Sequence, residues 1–177
     1  MMDKLLARIT KELDEAEIPF MVSGSMALII YTVPRMTMDI DIVIELKQED
    51  IKRFCEIFKE GFYIDPITVE EEVKRKGMFN IIDHASSYKV DFMVKKNNPY
   101  RKTEFERRVR GVIMGCETWI VTLEDLIISK LIWIQELQSD RQMSDIKNLL
   151  KNKDIDMPYI HYWCKELKLE TFNLIKL

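Results

Sequence analysis

The chain has few of the residues that build metal clusters or disulfide frameworks. It is 177 residues long and contains three cysteines and two histidines. The cysteines, Cys55, Cys116 and Cys164, form no C-x-x-C pair, and His84 and His161 lie far apart in sequence. These spacings argue against a structural zinc site and against a disulfide framework.

The sequence also lacks long apolar runs, internal repeats, low-complexity stretches and a strong excess of charge. Its opening segment, MMDKLLARITKELDEAE, has the pattern of an amphipathic helix, which predicts neither a signal peptide nor a membrane span. The 27 basic and 30 acidic residues give a net charge of −3, so we expect no binding of long duplex nucleic acid. We expect a cytoplasmic protein without a membrane partner.

Two acidic residues stand two positions apart in an apolar segment. Asp39 and Asp41 alternate with Ile40, Ile42 and Ile44. Because side chains alternate across a strand, both carboxylates are expected on one face. Like charges held this close destabilise each other unless a cation lies between them, and carboxylate oxygens suit Mg²⁺. The segment therefore predicts a metal site, with a solvated strand face as the simpler alternative.

A third acidic residue lies in a second strand pattern. In YKVDFMV, Val90 and Phe92 alternate with Lys89, Asp91 and Met93. The preceding segment MFNIID has the pattern of an antiparallel neighbour strand. Asp91 is the best candidate to complete a triad with the two earlier carboxylates.

A predicted strand turns into a short apolar helix at Gly24-Ser25. A glycine at such a turn permits close backbone approach, and the first free N–H groups of the helix suit a phosphate. The Ser25 hydroxyl can add a donor at the same place. The alternative is an ordinary turn and helix N-cap.

In combination, these motifs resemble the nucleotidyltransferase superfamily with the DNA polymerase beta type of catalytic core. The pattern is an apolar residue before Gly-Ser, thirteen intervening residues, then Asp-x-Asp on a strand and a later Asp on another strand. The resemblance implies Gly24 and Ser25 as the nucleotide-phosphate loop and Asp39, Asp41 and Asp91 as catalytic metal ligands. PRMTMDIDI also resembles small bacterial members, including abortive-infection toxins and antibiotic-modifying enzymes.

The fold that the resemblance implies is α+β (α/β-type), a mixed β-sheet flanked by helices and followed by a C-terminal helical bundle. We expect a catalytic core at 1–121 and a helical segment at 122–177 packed on it. The implied enzyme moves a nucleoside monophosphate from a nucleoside triphosphate, with ATP favoured, to a hydroxyl acceptor. Its implied cofactor is a pair of Mg²⁺ ions, with Mn²⁺ as an alternative.

The resemblance leaves the acceptor and the protein partners open. The acceptor is a small molecule, a tRNA end or a protein side chain, and a toxin role would add an antitoxin as partner. Aromatic residues of the last predicted helix, Met157–Leu167, fit either the core or a homodimer contact. A catalytically degenerate nucleotide-binding or regulatory module on the same fold is the competing hypothesis, which the presence of all three acids disfavours.

Lys130 stands inside the apolar stripe of a helix predicted to begin at Thr122. Its ammonium either snorkels to the surface or reaches into a cleft to meet phosphates or the acidic cluster. Members of the superfamily often carry a basic residue at a comparable place. We therefore predict that Lys130 binds the nucleotide.

Three further patterns predict ordinary structure. Residues 101–110 mix basic and acidic side chains and favour a solvated helix over a phosphate or RNA patch. Arg141 and Asp145, one turn apart on a predicted helix, favour a surface ion pair. Thr68-Val-Glu-Glu71 resembles a capping box at the start of a helix.

Overall fold

The computed structural model describes residues 1–176. This part of the chain contains one seven-stranded mixed sheet and eight α-helices. The strands are β1 (Phe20–Ser23), β2 (Asp39–Ile44), β3 (Phe62–Tyr63), β4 (Met78–Asp83), β5 (Lys89–Val94), β6 (Val109–Ile113) and β7 (Cys116–Ile120). The helices are α1 (Met2–Glu15), α2 (Gly24–Tyr31), α3 (Ile51–Phe58), α4 (Pro66–Arg75), α5 (Pro99–Glu106), α6 (Leu123–Glu136), α7 (Asp140–Leu149) and α8 (Met157–Glu166). The predicted α+β class with a mixed sheet is confirmed.

The strand order places β2 at the centre of the sheet. The order is β3-β4-β5-β2-β1-β7-β6. Strand β2 runs antiparallel to β1 and parallel to β5, and β4 and β5 are antiparallel, as predicted. The acidic strand β2 therefore has a hydrogen-bonded neighbour on both sides, one of which carries the third acid.

One face of the central strands is apolar and covered by α3. Ile42 and Phe92 are paired in register and fully buried. The Phe54 ring of α3 lies edge-on against Phe92, with ring centroids 5.2 Å apart, and against Phe79 at 5.5 Å. Because side chains alternate along a strand, burying these rings turns the neighbouring residues, including Asp91, to the opposite face.

The helices after residue 122 are joined to the rest of the chain by buried polar contacts. The Tyr100 hydroxyl of α5 donates to the Asp125 carbonyl at 3.2 Å, and the Asn152 side-chain N–H donates to the Tyr31 carbonyl at 2.9 Å. Asp125 of α6 is fully buried and accepts hydrogen bonds from Arg107 at 3.0 Å and from the Tyr159 hydroxyl at 2.8 Å. The helical segment thus packs directly on the sheet-containing part, although the division at residue 121 itself stays a prediction.

Two local predictions need correction. Helix α4 begins at Pro66 rather than at Thr68, because Asp65 is its N-cap and accepts from the Ile67 N–H. The basic run at 101–110 is not simply a solvated surface, since Glu104 is buried and accepts hydrogen bonds from Arg101.

Among the described residues, no helix has the length and hydrophobicity of a membrane span.

Candidate active site

Asp41 and Asp91 occupy directly paired positions on the parallel strands β2 and β5. The same row contains Ser23, paired with Asp41 from β1, and Asn80, paired with Asp91 from β4. Paired residues of adjacent strands project to the same face, so four polar side chains form a row across the sheet opposite the apolar face. The predicted convergence of two of the three acids is therefore present in the fold.

The turn after β1 encloses the Asp41 carboxylate. Gly24 has a φ of +56°, and a Cβ at this position would lie 2.0 Å from Asp41 Oδ2. The Ser25 N–H donates to the same oxygen at 3.1 Å. Glycine is needed here for both conformation and space. The Ser25 N–H, which the sequence suggested as a phosphate donor, binds Asp41 instead.

The two paired carboxylates, Asp41 and Asp91, repel each other. Burial raises the pKa of Asp41, and repulsion from Asp91 and Asp39 adds to this, against the hydrogen bond from Ser25 and the charge of Lys130. Asp91 is buried, and its Oδ2 contacts Lys89 Nζ at 2.9 Å. Its Oδ1 is buried without a hydrogen-bond partner. A buried carboxylate oxygen with no donor is a position where a cation would be stabilising.

The predicted carboxylate triad is only partly assembled. Asp41 and Asp91 are adjacent, whereas Asp39 lies at the exposed start of β2, paired with Lys89. Within residues 1–176, no three acidic, histidine or cysteine side chains are grouped closely enough to hold a metal ion. The donors still fit a hard divalent cation, because they are carboxylate oxygens and one of them is unpartnered. That Asp39, Asp41 and Asp91 act as ligands stays a prediction.

Lys130 is directed into the interior and does not snorkel. It is 5% exposed, and its Nζ donates to Asp145 Oδ2 at 2.9 Å and to Gln142 Oε1 at 2.7 Å. Burial lowers the pKa of Lys130, which the bond to Asp145 opposes. Its carboxylate partner belongs to α7 and not to the acidic cluster of the sheet, and the predicted binding of the nucleotide by Lys130 stays a prediction.

Arg35 connects this buried pair to the Gly24-Ser25 turn. Its Nε and Nη2 donate to the two Asp145 oxygens at 3.0 and 2.9 Å, and Nη2 also donates to Ser25 Oγ at 2.7 Å. Its Nη1 is buried without a hydrogen-bond partner. The Ser25 oxygen therefore accepts a hydrogen bond, and its proton stays available for a ligand. A cluster of two cations and one carboxylate borders the turn.

The predicted ion pair between Arg141 and Asp145 is wrong. Asp145 is buried and binds Arg35 and Lys130, while Arg141 donates to the Met36 carbonyl at 2.9 Å. Helical spacing favours a local partner, but a buried carboxylate is stabilised more by the partly buried Arg35 and the buried Lys130 than by one exposed arginine. Arg35 and Asp145 are the functional candidates that the sequence analysis missed. The position of Arg35, shortly before Asp39, was the only feature of the sequence that pointed to this residue, and no feature pointed to Asp145.

The profile of one protein family, described as nucleotidyltransferase of unknown function (DUF6036), matches residues 1–173. The chain belongs to this family. The predicted resemblance and the predicted enzyme class are thereby confirmed, because nucleotidyltransferases transfer nucleoside monophosphate groups. A search of curated protein sequences gives no significant match.

Solved structures share the fold of this nucleotidyltransferase. The antibiotic-resistance factor ANT(2'')-Ia in solution has a TM-score of 0.60 and 14% identity, over 94% of this chain and 91% of that chain. Its crystal structure in complex with adenylyl-2''-tobramycin has a TM-score of 0.58 and 14% identity, over 94% and 97%. The lincosamide antibiotic adenylyltransferase LnuA, bound to lincomycin, has a TM-score of 0.56 and 11% identity, over 84% and 96%.

Proposed function

We propose that this nucleotidyltransferase transfers the nucleoside monophosphate of a nucleoside triphosphate, with ATP favoured, to a hydroxyl group in a reaction that requires Mg²⁺. The observation that carries the proposal is the pairing of Asp41 with Asp91 beside the Gly24-Ser25 turn. The half-buried Asp41 and the buried Asp91, next to a serine and a cationic cluster, provide for both a cation and a phosphate. A regulatory module would need neither the buried acids nor the free oxygen of Asp91.

Asp39, Asp41 and Asp91 would hold the divalent ions. Bound there, two such ions would activate the acceptor hydroxyl and neutralise charge on the leaving pyrophosphate. Asp41 is held in place by the Ser25 N–H, so little reorganisation of that carboxylate is needed. Asp91 has one oxygen free to receive a cation or a proton. Mn²⁺ would satisfy the same oxygen ligands.

Ser25, Arg35 and Lys130 would bind the triphosphate. The Ser25 hydroxyl can donate a proton, and Arg35 has one nitrogen without a partner. Asp145 neutralises one of the two positive charges of Arg35 and Lys130 and fixes both side chains. The cluster keeps a net charge of +1, which suits an anionic group, and its fixed geometry favours one orientation of the donor.

The structural neighbours favour a small-molecule acceptor. One is in complex with adenylyl-2''-tobramycin and another is bound to lincomycin, and both are similar to this chain in fold. We therefore propose a hydroxyl of a small organic molecule over a tRNA end or a protein side chain. The latter two are acceptors that a toxin with a cognate antitoxin would use.

The test is thermal unfolding with ATP, GTP, CTP or UTP, each with and without Mg²⁺. We expect one nucleotide to raise the melting temperature only when Mg²⁺ is present, because a ligand of the folded state stabilises it by mass action. The Asp39→Asn/Asp41→Asn variant should stay folded and lose this shift. The control Asp154→Asn, which changes an exposed acid in the turn between α7 and α8, should keep it. An equal shift in all three proteins would favour the degenerate module.

A further inference from the structure

Lys89 lies among the candidate metal ligands on the same face of the sheet. It is paired in register with Asp39, and Asp91 follows two residues later on β5. Its Nζ lies 2.9 Å from Asp91 Oδ2. The ammonium group therefore contacts the carboxylate that a divalent ion would use.

We propose that Lys89 is a built-in competitor of the metal, an internal counter-ion that binds Asp91 until a divalent ion displaces it. This inference rests on the proposed function, because it assumes that Asp91 is a metal ligand. It assigns to Lys89 a role in setting the metal affinity of the free enzyme.

The charges of the site explain why a competitor is stabilising. Asp39, Asp41 and Asp91 would leave three negative charges on one face of the sheet, and the ammonium reduces this to two. The ammonium satisfies only Asp91 Oδ2, however, and leaves Oδ1 buried without a partner. A divalent ion has twice the charge and can accept more than one oxygen ligand. The Lys89 contact thus stabilises the carboxylates, but less than a bound metal ion would.

Exposure distinguishes the Lys89–Asp91 pair from the buried Lys130–Asp145 pair. The side chains of Lys130 and Asp145 are 5% and 7% exposed, so that pair is enclosed and fixed. The Lys89 side chain is 41% exposed, while Asp91 is 10% exposed. A half-exposed lysine can move its ammonium into water at little cost, whereas a buried one cannot. A metal ion can therefore displace the Lys89 ammonium from Asp91, whereas Lys130 stays paired with Asp145.

Coupling of metal binding to donor binding follows from this competition. In the free enzyme a metal must displace Lys89, so its affinity is reduced. When the nucleoside triphosphate binds, its phosphates supply further oxygen ligands and the displaced ammonium gains an anionic neighbour. We therefore expect the metal to bind mainly together with the donor.

The test is a titration of the full chain with Mn²⁺ in the absence of nucleotide. The electron paramagnetic resonance signal of free Mn²⁺ is measured at each step and gives the amount of bound ion. We expect Lys89→Met to lower the dissociation constant about fivefold, the scale of a partly exposed ion pair. Lys89→Arg keeps the charge and should stay near the wild-type value. Lys52→Met removes an equal charge from an exposed position on α3, on the opposite face of the sheet, and is the control.

The outcomes separate this inference from the proposed function. If Lys89→Met binds Mn²⁺ no more tightly than Lys52→Met, and Asp91→Asn still abolishes binding, the competitor role is wrong and the metal site stands. If none of the proteins binds Mn²⁺, with or without ATP, the metal site and the inference both fail. Binding by Lys89→Met alone would support the inference most directly.

Discussion

Arg35 and Asp145 form a two-point ion pair although they are 110 residues apart in sequence. Arg35 lies in the segment before β2, and Asp145 lies on α7. The same arginine donates to the Ser25 hydroxyl. Helix α7 therefore orders a cation at the Gly24-Ser25 turn, which we propose for the donor phosphates, so the helical segment supports the candidate site in addition to the packing.

Asp145→Ala should strongly destabilise the protein. The change removes the only carboxylate that Arg35 and Lys130 contact among the described residues and leaves two largely buried cations unpaired. We expect the free energy of unfolding to fall by about 3 kcal/mol. Urea denaturation measures this, with the exposed turn residue Asp154→Ala as control at below about 0.5 kcal/mol. Equal losses in both variants would contradict the buried cluster.

The stability that Asp145 contributes should depend on pH. Burial raises the pKa of Asp145, but its hydrogen bonds to Arg35 and Lys130 outweigh this and hold the pKa below 3.8. The contribution is therefore present above the unfolded-state pKa and is lost as pH falls through the folded-state value. Unfolding free energies of wild type and Asp145→Asn, measured from about pH 6 downward, should converge only at a pH below the ordinary pKa of an aspartate. A constant difference would contradict this.

Gly24→Ala should disturb the candidate site more than a backbone effect explains. A left-handed conformation costs a non-glycine residue about 1–2 kcal/mol, and the added Cβ would also collide with the Asp41 carboxylate. Gly115→Ala is a matched control, because Gly115 has a φ of +80° and no heavy atom within 4 Å of the Cβ position. We expect a larger loss of melting temperature for Gly24→Ala, and loss of nucleotide binding in that variant alone.

Tyr159→Phe should weaken the attachment of α8. Its hydroxyl donates to Asp125 Oδ1 at 2.8 Å, and Asp125 is fully buried. Removing a donor to a buried carboxylate costs about 2 kcal/mol. Tyr162→Phe, a change on the exposed side of the same helix, should alter the unfolding free energy by less than about 0.5 kcal/mol. Chemical denaturation of the two variants compares them directly.

The polar face of the sheet could be predicted because it depends on local alternation. Ile40 and Ile42 on β2, with Val90 and Phe92 on β5, indicate which face is buried, and the acids follow on the other face. This pattern also places Lys89 on the acidic face, but alternation does not state which carboxylate its ammonium contacts.

The cationic cluster could not be predicted in the same way. The position of Lys130 within an apolar stripe indicated an interior role, yet its partner Asp145 belongs to the next helix. Arg35 and Asp145 are separated by more than half of the sequence. No periodicity encodes such a contact, because it depends on how α2, α6 and α7 pack, and the local alternative with Arg141 was favoured by helical spacing.

The pairing of β2 with β5 also has a consequence for misfolded molecules. Shifting β5 by one residue against β2 would place Val90 or Phe92 beside Asp41 and turn a phenylalanine of the apolar core to the polar face of the sheet. A slipped sheet would therefore lose its apolar core and its acid pair in the same step. Molecules that have this strand pair in the wrong register should therefore be unstable as well as inactive.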